Sequence, residues 1–211
     1  MAAKKSIKKA AAKRAAETVD PIVAATLAEV AVTGWRELTL DGVAARAKIS
    51  LGQLLRDAPT RGHLVLRLIT SIDDQMLAGV SSVDGTESPR DRVFDILMRR
   101  FDILNQNRDG MRALVTGVMR DPGVAVLTGC RLRRSAAATL GAAGISVNGP
   151  IGLLRTQGLL AIGASGMRAW LNDDTADLAK TMAAVDRALT RVERLMGMLS
   201  FRRKSAEAAA A

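Results

Sequence analysis

The side chains with chemistry to offer are few in this sequence, and most of them fall between residues 39 and 64. His63 is the only histidine and Cys130 the only cysteine. Their separation along the chain gives no support to a nucleophile–base pair. One histidine leaves a metal site without a ligand set, and no phosphate-cradling glycine loop is present. Asp173 and Asp174 are adjacent at the end of a helical stretch and read as turn and cap rather than as an acid–base pair. The sequence therefore argues against an enzyme, and neither a metal nor a cofactor is expected. What remains is a cluster of capping and hydrogen-bonding groups in TLDGVAARAKISLGQLLRDAPTRGHL, Thr39 to Leu64.

Within that stretch Thr39 can cap a helix, because its hydroxyl accepts from a backbone N–H that has no partner in the first turn. Leu40, Val43, Ala44 and Ala47 then recur at helical spacing. Lys48-Ile49-Ser50 breaks the pattern, and Ser50 caps a second helix from Leu51 to about Ala58. Pro59 ends it, since the residue before a proline is driven out of the α region. A third helix follows, from Gly62 to about Leu77. Two short helices across a three-residue turn form a helix-turn-helix signature. Spacing alone leaves two readings open: a pair of helices that reads DNA, or an ordinary capped pair in an all-α protein.

The elements around this stretch carry helical periods throughout. Of 211 residues, 48% are apolar but only 2% aromatic, with no tyrosine, so the core is expected to be built from Ala, Leu, Val, Ile and Met. Long 3.6-residue periods without alternating runs predict an all-α protein of about nine helices. The first runs from Pro21 to about Thr33, capped by Asp20 and ended by a left-handed Gly34, with Trp35 packed as core. Residues 80–89 read as a linker, after which Ser88 and Pro89 open a helix carrying Val93, Ile96, Leu97 and Phe101. A helix beginning at Asp121-Pro122 carries Val126, Leu127 and Cys130, and the cysteine is expected as a small buried hydrophobe. Two long helices close the chain, the first rich in small residues that permit close backbone approach. The expected division is a basic disordered arm (1–16), a helix-turn-helix domain (17–66), a helical bundle (67–200) and a basic, alanine-rich tail (201–211).

The net charge of +10 suits a polyanionic partner, whether nucleic acid or an anionic membrane surface. A lone cysteine fits a reducing compartment. No stretch approaches the roughly 18 apolar residues of a transmembrane helix, and no apolar signal-peptide core is present. A cytoplasmic protein without a stable membrane span is expected.

Thr39, Val43, Ala44, Ala47, Ile49, Ser50, Gly52, Leu54 and Leu64 match the pattern T-x-x-x-[IV]-A-x-x-A-G-[VI]-S-x-G-x-[LI]-Y-x-x-F-x-x-K-x-x-L. On these residues, Ile22 to Leu64 resembles the N-terminal DNA-binding domain of TetR-type transcriptional regulators. Four positions depart from that pattern: Lys48 replaces its turn glycine, Leu55 its tyrosine, Ala58 its phenylalanine and Arg61 its lysine. The resemblance implies DNA contacts from Thr39, Lys48, Ser50, Leu51, Gly52, Gln53, Leu55, Arg56, Arg61 and His63. Gln53 and Arg56 offer groups suited to base edges or phosphates, and Arg61 can replace the lysine on a phosphate. Leu55 cannot replace a tyrosine hydroxyl. His63 reads either as a phosphate contact or as a neutral, partly exposed histidine at a helix start. The resemblance further implies a repressor that binds a double-stranded DNA operator as a homodimer through the two C-terminal long helices. A small apolar effector would then sit among Phe94, Met98, Phe101, Met119 and Trp170, each of which serves equally as core. The C-terminal half, in RDRVFDILMRRFDIL and WLNDDTADLAKTMAAVDRAL, is also similar to TetR-fold accessory proteins of ubiquinone biosynthesis, which bind isoprenoid lipid. That similarity supplies the second reading.

Overall fold

The structure, a computed structural model, describes residues 20–78, 80 and 87–209, with side chains as far as residue 197. The expected basic arm and most of the expected linker lie outside the described residues. Among those described there are nine α-helices and no strand. They are α1 (Pro21–Glu37), α2 (Leu40–Ala47), α3 (Leu51–Asp57), α4 (Arg61–Leu77), α5 (Pro89–Asn105), α6 (Arg108–Val118), α7 (Pro122–Ala142), α8 (Gly149–Trp170) and α9 (Ala179–Ala209).

The chain divides into two compact units, one drawn from Met1–Gly79 and Asp102–Ser135, the other from Val80–Phe101 and Ala136–Ala211. The expected boundary at 66/67 falls inside α4, which runs through it without a break. Residues 102–135 also belong with the N-terminal segment rather than with the bundle.

In the first unit, α1 is the element on which α2, α4 and α6 pack. Asp20 accepts from Ile22 N at 3.0 Å and Pro21 occupies the first helical position, so the start is fixed as its sequence predicts. Gly34, at φ 76° and ψ 167°, interrupts α1, and the chain resumes one more turn through Trp35. α6 lies against α1 along two glycines seven residues apart. A Cβ on Gly110 would stand 2.6 Å from the Leu27 carbonyl oxygen, and one on Gly117 would stand 2.1 Å from the Trp35 Cβ. Neither site has room for a methyl group, so these two positions set the closeness of the helices. Trp35 is buried there, and its indole N–H donates to Asp121 Oδ2 at 3.4 Å.

α4 and α7 are joined by a polar contact. Buried Asp73 accepts from Ser135 Oγ at 2.5 Å and pairs with Arg131 at 2.9 Å, while Arg131 also donates to Thr70 Oγ1 at 3.2 Å. This arrangement corrects the reading of Cys130. The cysteine is exposed, and so are Val126 and Leu127 on the same helix. The apolar residues of α7 are scattered around its circumference, and its buried positions are Ser135, Ala136, Thr139 and Leu140.

In the second unit Ser88 Oγ accepts from Asp91 N at 3.1 Å, so Ser88 and Pro89 do open α5 as cap and first residue. The small residues of α8 act as their types predict. A Cβ on Gly166 would meet the Phe101 ring at 2.6 Å and Val185 at 2.9 Å, and one on Gly158 would meet Val192 at 2.9 Å. α9 is started by a side chain from the preceding turn. Buried Asp173 accepts from Thr181 N and Thr181 Oγ1, both at 2.7 Å, and from Thr175 N at 3.1 Å and Thr175 Oγ1 at 2.5 Å. Burial alone would raise this carboxyl, but the hydrogen bonds from Thr175 and Thr181 outweigh it and hold the group well below the usual carboxylate range. Asp173, expected as the turn residue ahead of a cap at Asp174 or Thr175, is itself the cap.

Gly117→Ala should lower unfolding stability by about 1–3 kcal/mol in chemical denaturation, because the new methyl has no space beside Trp35. Gly129→Ala, at a helical position with nothing within 4 Å, should instead raise it by about 0.5–1 kcal/mol. Equal effects of the two would contradict the packing described.

Candidate nucleic-acid interface

The helix-turn-helix is assembled from local hydrogen bonds. Thr39 Oγ1 accepts from Gly42 N at 3.1 Å and caps α2, and Ser50 Oγ accepts from Gln53 N at 3.2 Å and caps α3. Between them Lys48 adopts the left-handed conformation, φ 58° and ψ 38°. Its N–H donates to Ala45 O at 3.2 Å and the next N–H, of Ile49, to Ala44 O at 3.1 Å, which ends α2 and turns the chain. α3 stops at Asp57, with Ala58 N donating to Leu54 O at 2.7 Å ahead of Pro59. Thr60 then caps α4, which starts at Arg61, one residue before the expected Gly62.

Only Leu54 of the seven α3 residues is buried, with Ala58 buried just beyond; Val43 and Ala44 of α2 complete the seam. Everything else on α3 faces out. Gln53 and Arg56 are exposed, Gly52 has nothing within 4 Å of where a Cβ would lie, and Leu51 and Leu55 are 39% and 42% exposed. Lys48 and His63 are exposed beside them, with His63 Nδ1 sharing a 2.8 Å hydrogen bond with Thr60 Oγ1. The structure therefore brings Thr39, Lys48, Ser50, Leu51, Gly52, Gln53, Leu55, Arg56 and His63 to the outward side of α2, α3 and the start of α4.

Arg61 is placed differently. Its Nη1 donates to Trp35 O at 3.1 Å and Arg36 O at 3.3 Å, and its guanidinium lies 5.5 Å from the Trp35 ring centroid. It clamps the end of α1 to the start of α4, a task that sequence spacing did not reveal. The signal was there in retrospect only as an arginine and a tryptophan, 26 residues apart.

No family model and no curated protein matches the sequence. Solved structures do. A TetR transcriptional regulator from Nitrosomonas europaea ATCC 19718 aligns at a TM-score of 0.67 and 20% identity over 82% of this chain and 96% of that one. One from Rhodococcus sp. RHA1 aligns at 0.63 and 20% over 85% and 96%. A TetR-family regulator from Streptomyces coelicolor aligns at 0.54 and 19% over 86% of each chain. The fold is that of the TetR-type regulators.

Seen against the TetR pattern, two departures have physical consequences. Lys48 holds a left-handed conformation that a glycine adopts without steric cost. Leu55 presents methyl groups where a tyrosine would present a hydroxyl. Ala58 is fully buried, so the smaller residue there is accommodated in the core. The residues suggested by the TetR resemblance for an effector pocket do not form one set. Phe101 and Trp170 are buried in the second unit and Phe94 and Met98 are half-buried there, but Met119 belongs to the first unit and is 73% exposed. Met119 follows the last turn of α6 and faces solvent, because the buried side of that helix is Gly110, Met111, Leu114 and Val118. An open cleft of about 1080 Å³ is found in the first unit instead, lined by Gly34, Trp35, Arg61, Arg112, Thr116 and Arg120 among others. Among the described residues no helix is long and apolar enough to cross a membrane, and no group of three metal-ligating side chains converges.

Lys48→Gly should stabilise the fold by about 0.5–1 kcal/mol, since the relief of a left-handed side chain exceeds the added entropy of the unfolded chain. Ser50→Ala should destabilise it by about 1 kcal/mol through loss of the cap. Thermal unfolding of both variants checks these signs; a destabilising Lys48→Gly would contradict the turn geometry.

Proposed function

We propose that this protein is a TetR-type transcriptional regulator, a repressor that binds a two-fold operator in double-stranded DNA as a homodimer. The observation that carries this reading is the capped α2–α3 pair, with all of α3 except Leu54 turned to solvent on a chain of TetR fold. In this reading α3 enters the major groove. Gln53 and Arg56 meet base edges or phosphates, and Lys48, His63 and the N-termini of α2 and α4 meet the backbone. The net charge of +10 supports attraction to the polyanion, and the basic segment 1–16 adds a sequence-independent, salt-sensitive share.

Homodimerisation through α8 and α9 is supported by their exposed apolar side chains, Ile151, Leu153 and Leu154 on one and Met182 and Leu195 on the other. Pairing these helices with their copies would bury that surface in a four-helix arrangement. A small apolar effector would enter the second unit beside half-buried Phe94 and Met98, favour one arrangement of the bundle, and so release DNA.

Fluorescence anisotropy with a labelled duplex from upstream of the protein's own gene tests the recognition face. Arg56→Ala and Gln53→Ala should each weaken binding by about 1–3 kcal/mol and relax sequence preference, with unfolding stability unchanged. Deleting residues 1–16 should weaken binding to all duplexes alike and reduce the salt slope. Unchanged affinity in Gln53→Ala and Arg56→Ala would overturn the assignment of α3, and co-purified isoprenoid lipid without DNA retention would favour the lipid-binding alternative.

A further inference from the structure

Two leucines stand half out of the surface on a helix that has only seven residues. Leu51 is 39% exposed and Leu55 42%, although buried positions are available at Leu54 and Ala58. They are four residues apart, so they share one side of α3, separated by about 6 Å along its axis. Gly52, next to Leu51, has nothing within 4 Å of its Cβ direction, so the backbone of α3 can approach a surface closely at that point. Two cations flank the pair, Lys48 in the turn and Arg56 beyond, both exposed. The face is therefore apolar at its centre line and cationic at its ends.

An isobutyl group gains nothing against a phosphate oxygen. The major groove offers a single apolar group on its base edges, the C5-methyl of thymine. We infer that Leu51 and Leu55 are specificity-determining residues that read thymine methyl groups, so that the operator half-site carries thymines within two or three neighbouring base pairs. The inference rests on the DNA-binding function proposed above and specifies what that face recognises. It also accounts for the departure at position 55, where an apolar side chain replaces a phosphate-directed hydroxyl: the contact moves from the backbone to a base, and affinity is exchanged for selectivity. Arg56 and Lys48 retain the attraction to the backbone.

The experiment uses the full-length chain and a random-sequence duplex library, from which bound duplexes are enriched and sequenced. The enriched duplex is then synthesised with deoxyuridine at each thymine in turn, which removes the methyl and leaves every hydrogen-bonding group in place. Binding should weaken about fourfold for each methyl that Leu51 or Leu55 covers. Leu51→Ala or Leu55→Ala should bind the thymine and uracil duplexes equally at the corresponding position, while circular dichroism shows the fold unchanged. An enriched sequence whose uracil versions all bind as tightly as the original would overturn the inference and leave DNA binding standing. A library that yields no enriched sequence would overturn the DNA-binding function itself, and the inference with it.

Discussion

Trp35 sits where three separate parts of the chain have to agree. Its Cβ lies against the bare backbone of Gly117 on α6, its indole N–H reaches Asp121 at the start of α7, and the Arg61 guanidinium of α4 covers its ring. The same guanidinium donates to the Trp35 and Arg36 carbonyls, which belong to the last turn of α1 and have no helical partner because the helix ends at Glu37. One buried aromatic therefore fixes where α1 ends and hence where Thr39 can begin α2. It also ties that point to α4 and α6. The helix-turn-helix inherits its position from this contact, because α2 follows Trp35 by only a few residues.

α2 and α3 have eight and seven residues, shorter than any helix that is stable alone in water. Their stability comes from the caps at Thr39 and Ser50, each contributing about 1 kcal/mol, and from burying Val43, Ala44, Leu54 and Ala58 against the rest of the unit. Because so few side chains hold α3 in place, the others are released from structural duty. That division of labour is what allows Leu51, Gly52, Gln53, Leu55 and Arg56 to be chosen for a partner rather than for the core.

How much of this was legible in the sequence follows from the range of the interactions involved. Caps and breaks act within four residues, so the roles of Asp20, Thr39, Ser50, Pro59 and Ser88 are legible in the local sequence. Small residues at helical spacing likewise announced the close approach on α8. Long-range polar contacts left no such trace. Arg61 carries the charge that a phosphate contact would need, and nothing local distinguishes that role from a clamp on two carbonyls 25 and 26 residues away. The outward placement of Cys130 was hidden for a similar reason. α7 has apolar residues on every side, and the choice of its buried face is made by Asp73 on α4, which draws Ser135 inward. Met119 comes just after the last turn of α6, off the packed side formed by Gly110, Met111, Leu114 and Val118, and no short-range signal separates it from those neighbours.

The central claim is that two copies of α3 read DNA as a fixed pair. DNase I footprinting of the full-length protein on the DNA upstream of its own gene, at a salt concentration that suppresses non-specific binding, tests it most directly. The account predicts two protected half-sites related by two-fold symmetry, with centres about 10 base pairs or a multiple of that apart. Protection that is uniform along the fragment, or absent at every protein concentration, would contradict it.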